Sequence, residues 1–447
     1  MNGPDGGMAA GVMSDNEVIV YMESLSPGAI QNPGKETMAL EALTDLLARM
    51  GNPERGLHYV HIAGTNGKGS ILAYVSTVLQ EAGYRVGRYF SPALHDAWEK
   101  IQVQQRPIPR TAIREGIALI AECTAQMAAA GRKAPTLFEV ETALAFWYFQ
   151  KKQCDIVVLE CGLGGRDDAT NVIPAPEVCI FAPIALDHMA ILGKTVEEIA
   201  AVKAGIMKAG ADVVSAPQLP EVCSVLQAEA QKKQLPLRFA QAPEKVRYGI
   251  RKQVFDAGEH HRLEISLAGV YQPDNAAVAV CALECLQARG YRITEPKLRS
   301  GLLKSRWPGR FTILQERPYL IMDGAHNGAA AEVLRKTLDV CFPEKSFVMI
   351  LGVLRDKAYE EVLRCLLDRA VQVVTLTPPD NPRALAGVEL ADEVQRYGVS
   401  VTTADSVEEA LELAELLSGK RFPILATGSL SWLGRLEEIV TERKKSK

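Results

Sequence analysis

Residues 61 to 70 read HIAGTNGKGS, which places three glycines, a lysine and a serine in one short stretch. Glycines let successive backbone N–H groups turn toward an anion. Lys68 supplies a mobile cation for outer phosphates, and the hydroxyl of Ser70 can ligate Mg²⁺ from the first turn of a helix. The spacing departs from the usual G-x-x-x-x-G-K-[ST]: Ile62 stands where the first glycine should be, and Gly69 separates Lys68 from Ser70. The parts of a phosphate loop are all present in Gly64, Thr65, Asn66, Gly67, Lys68, Gly69 and Ser70. The competing reading is a Gly-rich turn that carries a surface lysine.

Such a loop needs a partner for its metal. Glu160 ends the apolar run CDIVVLE and is the first candidate, because Mg²⁺ takes one or two protein carboxylates and fills the rest of its octahedron with water and phosphate oxygens. A carboxylate at a strand end is otherwise a helix cap or an ion-pair partner. The segment LDHMAILGKTVEEIAAVKAGIMK holds His188 after an apolar run and Lys203 on a helix. By composition alone, these read as a hydrogen-bonded structural histidine and a surface lysine.

The elements that would position these residues alternate between strand and helix. LHYVHIAG is an apolar run ending in glycine, and SILAYVSTVLQEAG follows it with helical spacing. The phosphate loop therefore joins a strand to a helix. CDIVVLECGLGG, EVCIFAPIALDH and ADVVSAP repeat the rhythm and predict a mainly parallel sheet with helices on both faces. Ligands bind such sheets beyond the carboxyl ends of the strands. KSRWPG, residues 304–309, interrupts the order, and five more strand-like runs follow it. The sequence thus predicts an N-terminus disordered over 1–14, a P-loop α/β domain over 15–304 and a smaller Rossmann-like α/β domain over 305–447.

Composition narrows the functional classes. The chain has 447 residues and a formal net charge of −4, and its only basic cluster is the short tail of Arg443, Lys444, Lys445 and Lys447. We expect no nucleic-acid partner. Its nine cysteines include no C-x-x-C pair, and Cys281 and Cys285 are expected to pack as small apolar groups. No run of 18 apolar residues and no signal-like leader is present, so no membrane partner is expected and the chain reads as cytoplasmic.

GTNGKGS, LECGLGGRDDATNV, LDHMAILGKTVEEIAAVKAGIMK, WPGRF, MDGAHN, GVLRDKAY and PRAL occur in this order. Together they resemble folylpolyglutamate synthase and dihydrofolate synthase of the Mur ligase superfamily. The resemblance spans roughly residues 15 to 435, and Gly before Ser in the loop is characteristic of that folate branch. It implies an ATP-dependent ligase in which a carboxylate becomes an acyl phosphate and the amine of L-glutamate attacks it. Folate or dihydropteroate and L-glutamate would be substrates, ATP and two Mg²⁺ the cofactors, and the chain a monomer.

By motif, the resemblance implies that Lys68 holds the outer phosphates and that Ser70 and Glu160 ligate one Mg²⁺. His188 would help with a second, and Lys203 matches a lysine that is carbamylated. Arg310, Asp323, His326 and Asn327, with Asn275, would contact the nucleotide from both sides of an interdomain cleft. Ser91, Pro92, Phe138 and Asp168 would face the acceptor. The chain departs from the family pattern at Ala93 (for His), Lys100 (for Arg), Asp167 and Cys161. Lysine lacks the bidentate fork of arginine, so altered selectivity for the pterin or glutamate tail is expected. The residues alone reach a Mg-nucleotide enzyme with two α/β domains. A Mur-type ligase for another carboxylate and a non-catalytic nucleotide- or folate-binding paralogue remain the alternatives.

Overall fold

The computed structural model describes residues 13–26 and 40–445. The predicted disorder of 1–14 lies outside the described residues except at its end. There Ser14 caps the helix Asp15–Glu23 in a reciprocal box with Glu17.

The first unit is built on eight strands: β1 (Tyr59–Ala63), β2 (Val86–Tyr89), β3 (Ile101–Val103), β4 (Arg106–Pro107), β5 (Ile156–Glu160), β6 (Val178–Phe181), β7 (Asp212–Ser215) and β8 (Leu237–Phe239). They lie in the order β4-β3-β2-β5-β1-β6-β7-β8. Strands β2, β5, β1, β6, β7 and β8 run parallel, and only the β3–β4 edge is antiparallel. Every residue of β1, β5 and β6 is buried, which is why these strands read as apolar runs and not as alternations.

The helix Lys68–Glu81 is buried continuously from Ser70 to Leu79. Helices Gln272–Ala288 and Glu295–Lys304 pack over it and bury the face turned away from the sheet. The helix that follows the glycine loop is thereby held on both faces.

One feature was absent from the sequence reading. Strands β9 (Glu244–Arg247), β10 (Gln253–Ala257) and β11 (His260–Ile265) form a separate antiparallel sheet. The mostly exposed EKVR of β9 offers no apolar alternation that would signal a strand.

The second unit holds β12 (Thr312–Glu316), β13 (Tyr319–Asp323), β14 (Phe347–Leu351), β15 (Ala370–Leu376), β16 (Val401–Ala404) and β17 (Ile424–Thr427). Their order is β12-β13-β17-β14-β15-β16, parallel except for the β12 edge. The preceding helix ends at Lys304 and β12 begins at Thr312, so residues 305–311 connect the two units. Cys285 lies in the core of the first unit with Cys281 packed against it, and the nine cysteines are unpaired. No helix among the described residues is long and apolar enough to cross a membrane. In the basic tail, Arg443 pairs with Glu415 and Glu412 and Lys444 donates to the Leu314 carbonyl.

Candidate active site

Three neighbouring strands deliver the first half of the site. The register pairs Ile62 of β1 with Glu160 at the end of β5, and Ala63 with Phe181 at the end of β6. The loops after β1, β5 and β6 therefore emerge side by side at the carboxyl edge of the sheet. The loops after β13, β14 and β17 of the second unit face them across a cavity of about 630 Å³.

The phosphate loop is shaped by its contacts. Gly67 caps the helix Lys68–Glu81 with φ of 92°, a left-handed conformation open to glycine, and a Cβ there would meet Oδ1 of Asn275 at 2.5 Å. Thr65 and Asn66 donate their backbone N–H to the Pro183 carbonyl at 2.9 and 3.3 Å, and the Thr65 hydroxyl bonds to Ala185. These bonds tie the loop after β1 to the loop after β6. Gly69 lies beneath Trp307, whose indole would sit 2.5 Å from a Cβ at that position. The glycine that breaks the standard spacing thus makes room for the tryptophan of KSRWPG.

Lys68 Nζ lies 3.7 Å from Glu160 and 3.3 Å from the Thr65 carbonyl. Burial pushes Glu160 up to about 7, even though Lys68 and Arg310 favour its ionised form. The Ser70 hydroxyl accepts from Nε2 of Gln272 at 3.1 Å, and Asn275 donates to Gln272 at 3.4 Å. A hydroxyl and a buried carboxylate suit an oxygen-preferring cation that brings its own phosphate and water ligands. These residues fit Mg²⁺.

Lys203 is held by a helix whose start is fixed at Thr195. The Thr195 hydroxyl accepts from Glu198 N at 3.3 Å and the Glu198 carboxylate accepts from Thr195 N at 3.3 Å, a capping box typically contributing about 1 kcal/mol. Two turns on, Lys203 is 5% exposed and donates to the Gly64 carbonyl at 2.9 Å. Burial, with Lys68 nearby, lowers its amine to about 7. It is no surface lysine.

Asp187 is a hub that sequence reasoning left unassigned. It accepts from Lys357 Nζ at 3.1 Å and from Asn327 Nδ2 at 3.2 Å, both in the second unit, and His326 Nε2 is 4.0 Å away. Burial would raise its carboxyl, but His188, Lys357 and His326 outweigh that and hold it at about 2. His188 has a left-handed backbone (φ 50°, ψ 37°) and puts Nε2 3.4 Å from Lys357 Nζ. Burial lowers its imidazole, and since an ammonium only donates, Nε2 is the acceptor of this bond.

Of the residues predicted from the second unit, Arg310, Asp323 and His326 line the cavity. Asp323 is 4% exposed and accepts from Tyr271 OH at 3.2 Å, Phe311 N at 2.8 Å and Ala325 N at 2.9 Å. Its carboxyl is raised by burial. His326 bonds the Gly324 carbonyl through Nδ1 at 2.8 Å, and burial lowers it to about 4. A carbonyl only accepts, so Nδ1 carries the proton. Asn327 is not in the cavity wall. It caps the helix Gly328–Cys341 by accepting from Ala330 N at 2.9 Å and reaches Asp187 with its amide.

The residues expected to face the acceptor divide in the same way. Ser91, Pro92 and the departing Ala93 line the cavity, whereas Phe138, Asp168 and Lys100 do not. The Phe138 ring stands behind the wall, where a Cβ on Gly162 would meet its Cζ at 2.7 Å. Asp168 is 3% exposed, and its carboxylate accepts from Leu163 N at 2.8 Å and Thr170 N at 3.0 Å, so it organises the LGGRDD loop. Cys161 is engaged as well. Its sulfur lies 3.2 Å from Nε2 of the buried His61, which also bonds the Thr170 hydroxyl at 2.8 Å. Burial keeps His61 neutral, at about 3, and raises the Cys161 thiol.

Comparison with known proteins shows the family. Residues 62–283 match the Mur ligase middle domain and residues 309–430 the Mur ligase glutamate ligase domain. A dihydrofolate synthase/folylpolyglutamate synthase of Bacillus subtilis is 34% identical over 89% of this chain and 94% of its own. A folylpolyglutamate synthase of Lacticaseibacillus casei is 35% identical over 94% of this chain and 96% of its own. The structure of Mycobacterium tuberculosis folylpolyglutamate synthase complexed with ADP superposes with a TM-score of 0.87 at 29% identity, covering 95% of this chain and 98% of that one. On its glycine loop, its two α/β units and these relatives, the chain belongs to the folylpolyglutamate synthase and dihydrofolate synthase family of the Mur ligase superfamily.

Proposed function

We propose that the chain joins L-glutamate to the carboxylate of a folate, at the expense of ATP and through an acyl phosphate, and that it accepts both dihydropteroate and reduced folates. The observation that carries this reading is one cavity walled by the phosphate loop with Lys68 on one side and by Arg310 and Asp323 on the other. Solved relatives described as an ADP complex and as an FPGS–AMPPCP–folate complex support nucleotide and folate as occupants.

In this reading, the backbone N–H groups of Gly67, Lys68 and Gly69 and the ammonium of Lys68 bind the phosphates. Arg310 stabilises charge as the γ-phosphoryl passes to the acceptor carboxylate and ADP departs. Asp323, whose carboxylate already takes three donors, keeps one acceptor site for a ribose hydroxyl, and Asn275 supports the loop from the first unit. The amine of glutamate, once deprotonated, then attacks the acyl carbon and phosphate leaves. Mg²⁺ held by Ser70 and Glu160 would neutralise phosphate charge. A second would sit near His188 and Lys203, and carbamylation would convert the Lys203 ammonium, which repels a cation, into an oxygen ligand. The low basicity of Lys203 favours the neutral amine that reacts with CO₂. The reading also carries a cytoplasmic, monomeric protein. Phosphate release with Mg-ATP, glutamate and each acceptor tests it, and no release above background on any folate would refute it.

A further inference from the structure

The Lys100 ammonium does not point to the cavity. It lies 2.5 Å from Oε1 of Glu141, with the two side chains 13% and 9% exposed. Neither residue lines the cavity, yet each is joined to a part that does. The Lys100 carbonyl accepts from Phe90 N at 3.2 Å, and the next residues are Ser91 and Pro92 of the cavity wall. Glu141 lies one turn beyond Phe138 on the helix Leu137–Lys151. The Phe138 ring stacks on Tyr89 at 6.0 Å and bears on Gly162, another wall residue. Thr142, beside Glu141, bonds the Tyr89 hydroxyl at 3.2 Å.

The ion pair therefore fastens the loop carrying Ser91 and Pro92 to the helix that backs Gly162. We propose that Lys100 and Glu141 act as a positioning pair that sets acceptor affinity without touching the acceptor, and that the acceptor's carboxylates are bound by other groups because Glu141 neutralises this cation. The proposal rests on reading the Ser91–Pro92 wall as the acceptor side of the site. Two buried charges of opposite sign hold a fixed geometry, and removing one strands the other.

The test compares Lys100→Met, Glu141→Gln, Lys100→Arg and the swap Lys100→Glu/Glu141→Lys with the full-length parent, using a tetrahydrofolate as acceptor. We expect each neutralising variant to raise the acceptor KM by about tenfold while the KM for ATP holds, because small misplacements of binding groups act on the substrate they contact. Lys100→Arg and the swap should return the acceptor KM to within about threefold of the parent, as restored pairs do in coupled cycles. A swap worse than either single change would mean that Lys100 reads the acceptor carboxylate directly, which overturns the proposal. Parallel rises in both KM values, or unchanged KM values in folded variants, would overturn it as well. If the single variants fail to fold, the swap and Lys100→Arg decide alone. Silence of the parent on every folate would instead refute the functional reading.

Discussion

The indole of Trp307 lies over Gly69, so close that a Cβ there would come within 2.5 Å of Nε1 and Cζ2. Trp307 also meets Phe90 edge to face at 4.8 Å. The phosphate loop, the connection between the units and the strand leading into the Ser91–Pro92 wall are thus packed together.

Gly69→Ala should consequently damage nucleotide binding. Overpacking at this contact should cost about 1–3 kcal/mol in thermal or urea unfolding and raise the KM for ATP. The double variant Gly69→Ala/Trp307→Ala should recover part of both losses, because the clash needs both partners. Additive effects in the cycle would contradict the contact's role.

Glu160 should trade stability for function. Its folded carboxyl is raised above the ordinary 4.5 to about 7 by burial. The folded state therefore holds a proton that the unfolded state loses, and this contribution is present below pH 4.5 and lost as pH rises through about 7. Glu160→Gln should unfold at a higher temperature than the parent at pH 8 without Mg²⁺, while turnover falls on the order of 100-fold, as for loss of a preorganised electrostatic group. Equal unfolding temperatures across pH 5 to 8 (about the window above) would contradict the assignment.

What could be read from the sequence was local. Gly64 to Ser70 are seven consecutive residues between a buried strand and a helix, so the loop and its chemistry were visible without a fold. Glu160 was visible because an apolar run ends on it. Asp187 was not, since its partners Asn327 and Lys357 lie 140 and 170 residues away and no local pattern links them. A still larger separation in sequence hid Trp307 as the reason for Gly69. Asp168 and Asn327 were read as ligand contacts from motif alone. In the structure their side-chain oxygens accept from nearby backbone N–H groups, the ordinary role of Asp and Asn at helix starts.

Asp187→Asn should weaken the link between the units. The Asp187 carboxyl is held below its ordinary 3.8 at about 2, so its stabilisation is present above the ordinary value and lost as pH falls through about 2. The variant should be less stable than the parent at neutral pH, with the difference shrinking toward pH 2 in denaturant titrations. A difference that stayed constant or grew in acid would contradict the charge pairing with Lys357.

Lys203 should make activity depend on CO₂. Its amine is lowered to about 7, so the neutral form grows as pH rises through that value. Protein stripped of CO₂ should lose activity and regain it with bicarbonate, more completely at pH 8 than at pH 6 (about one unit either side of the amine). Intact mass measured under bicarbonate should show one added CO₂ that Lys203→Ala lacks. Full activity of Lys203→Ala would contradict the assignment.

The central claim is tested most directly by phosphate release from Mg-ATP and L-glutamate, comparing a tetrahydrofolate with dihydropteroate and using Lys68→Ala as the control. We expect release with both acceptors and its collapse in Lys68→Ala. Absence of release with either acceptor from protein that still binds ATP would contradict a folate–glutamate ligase and move the chain to another carboxylate.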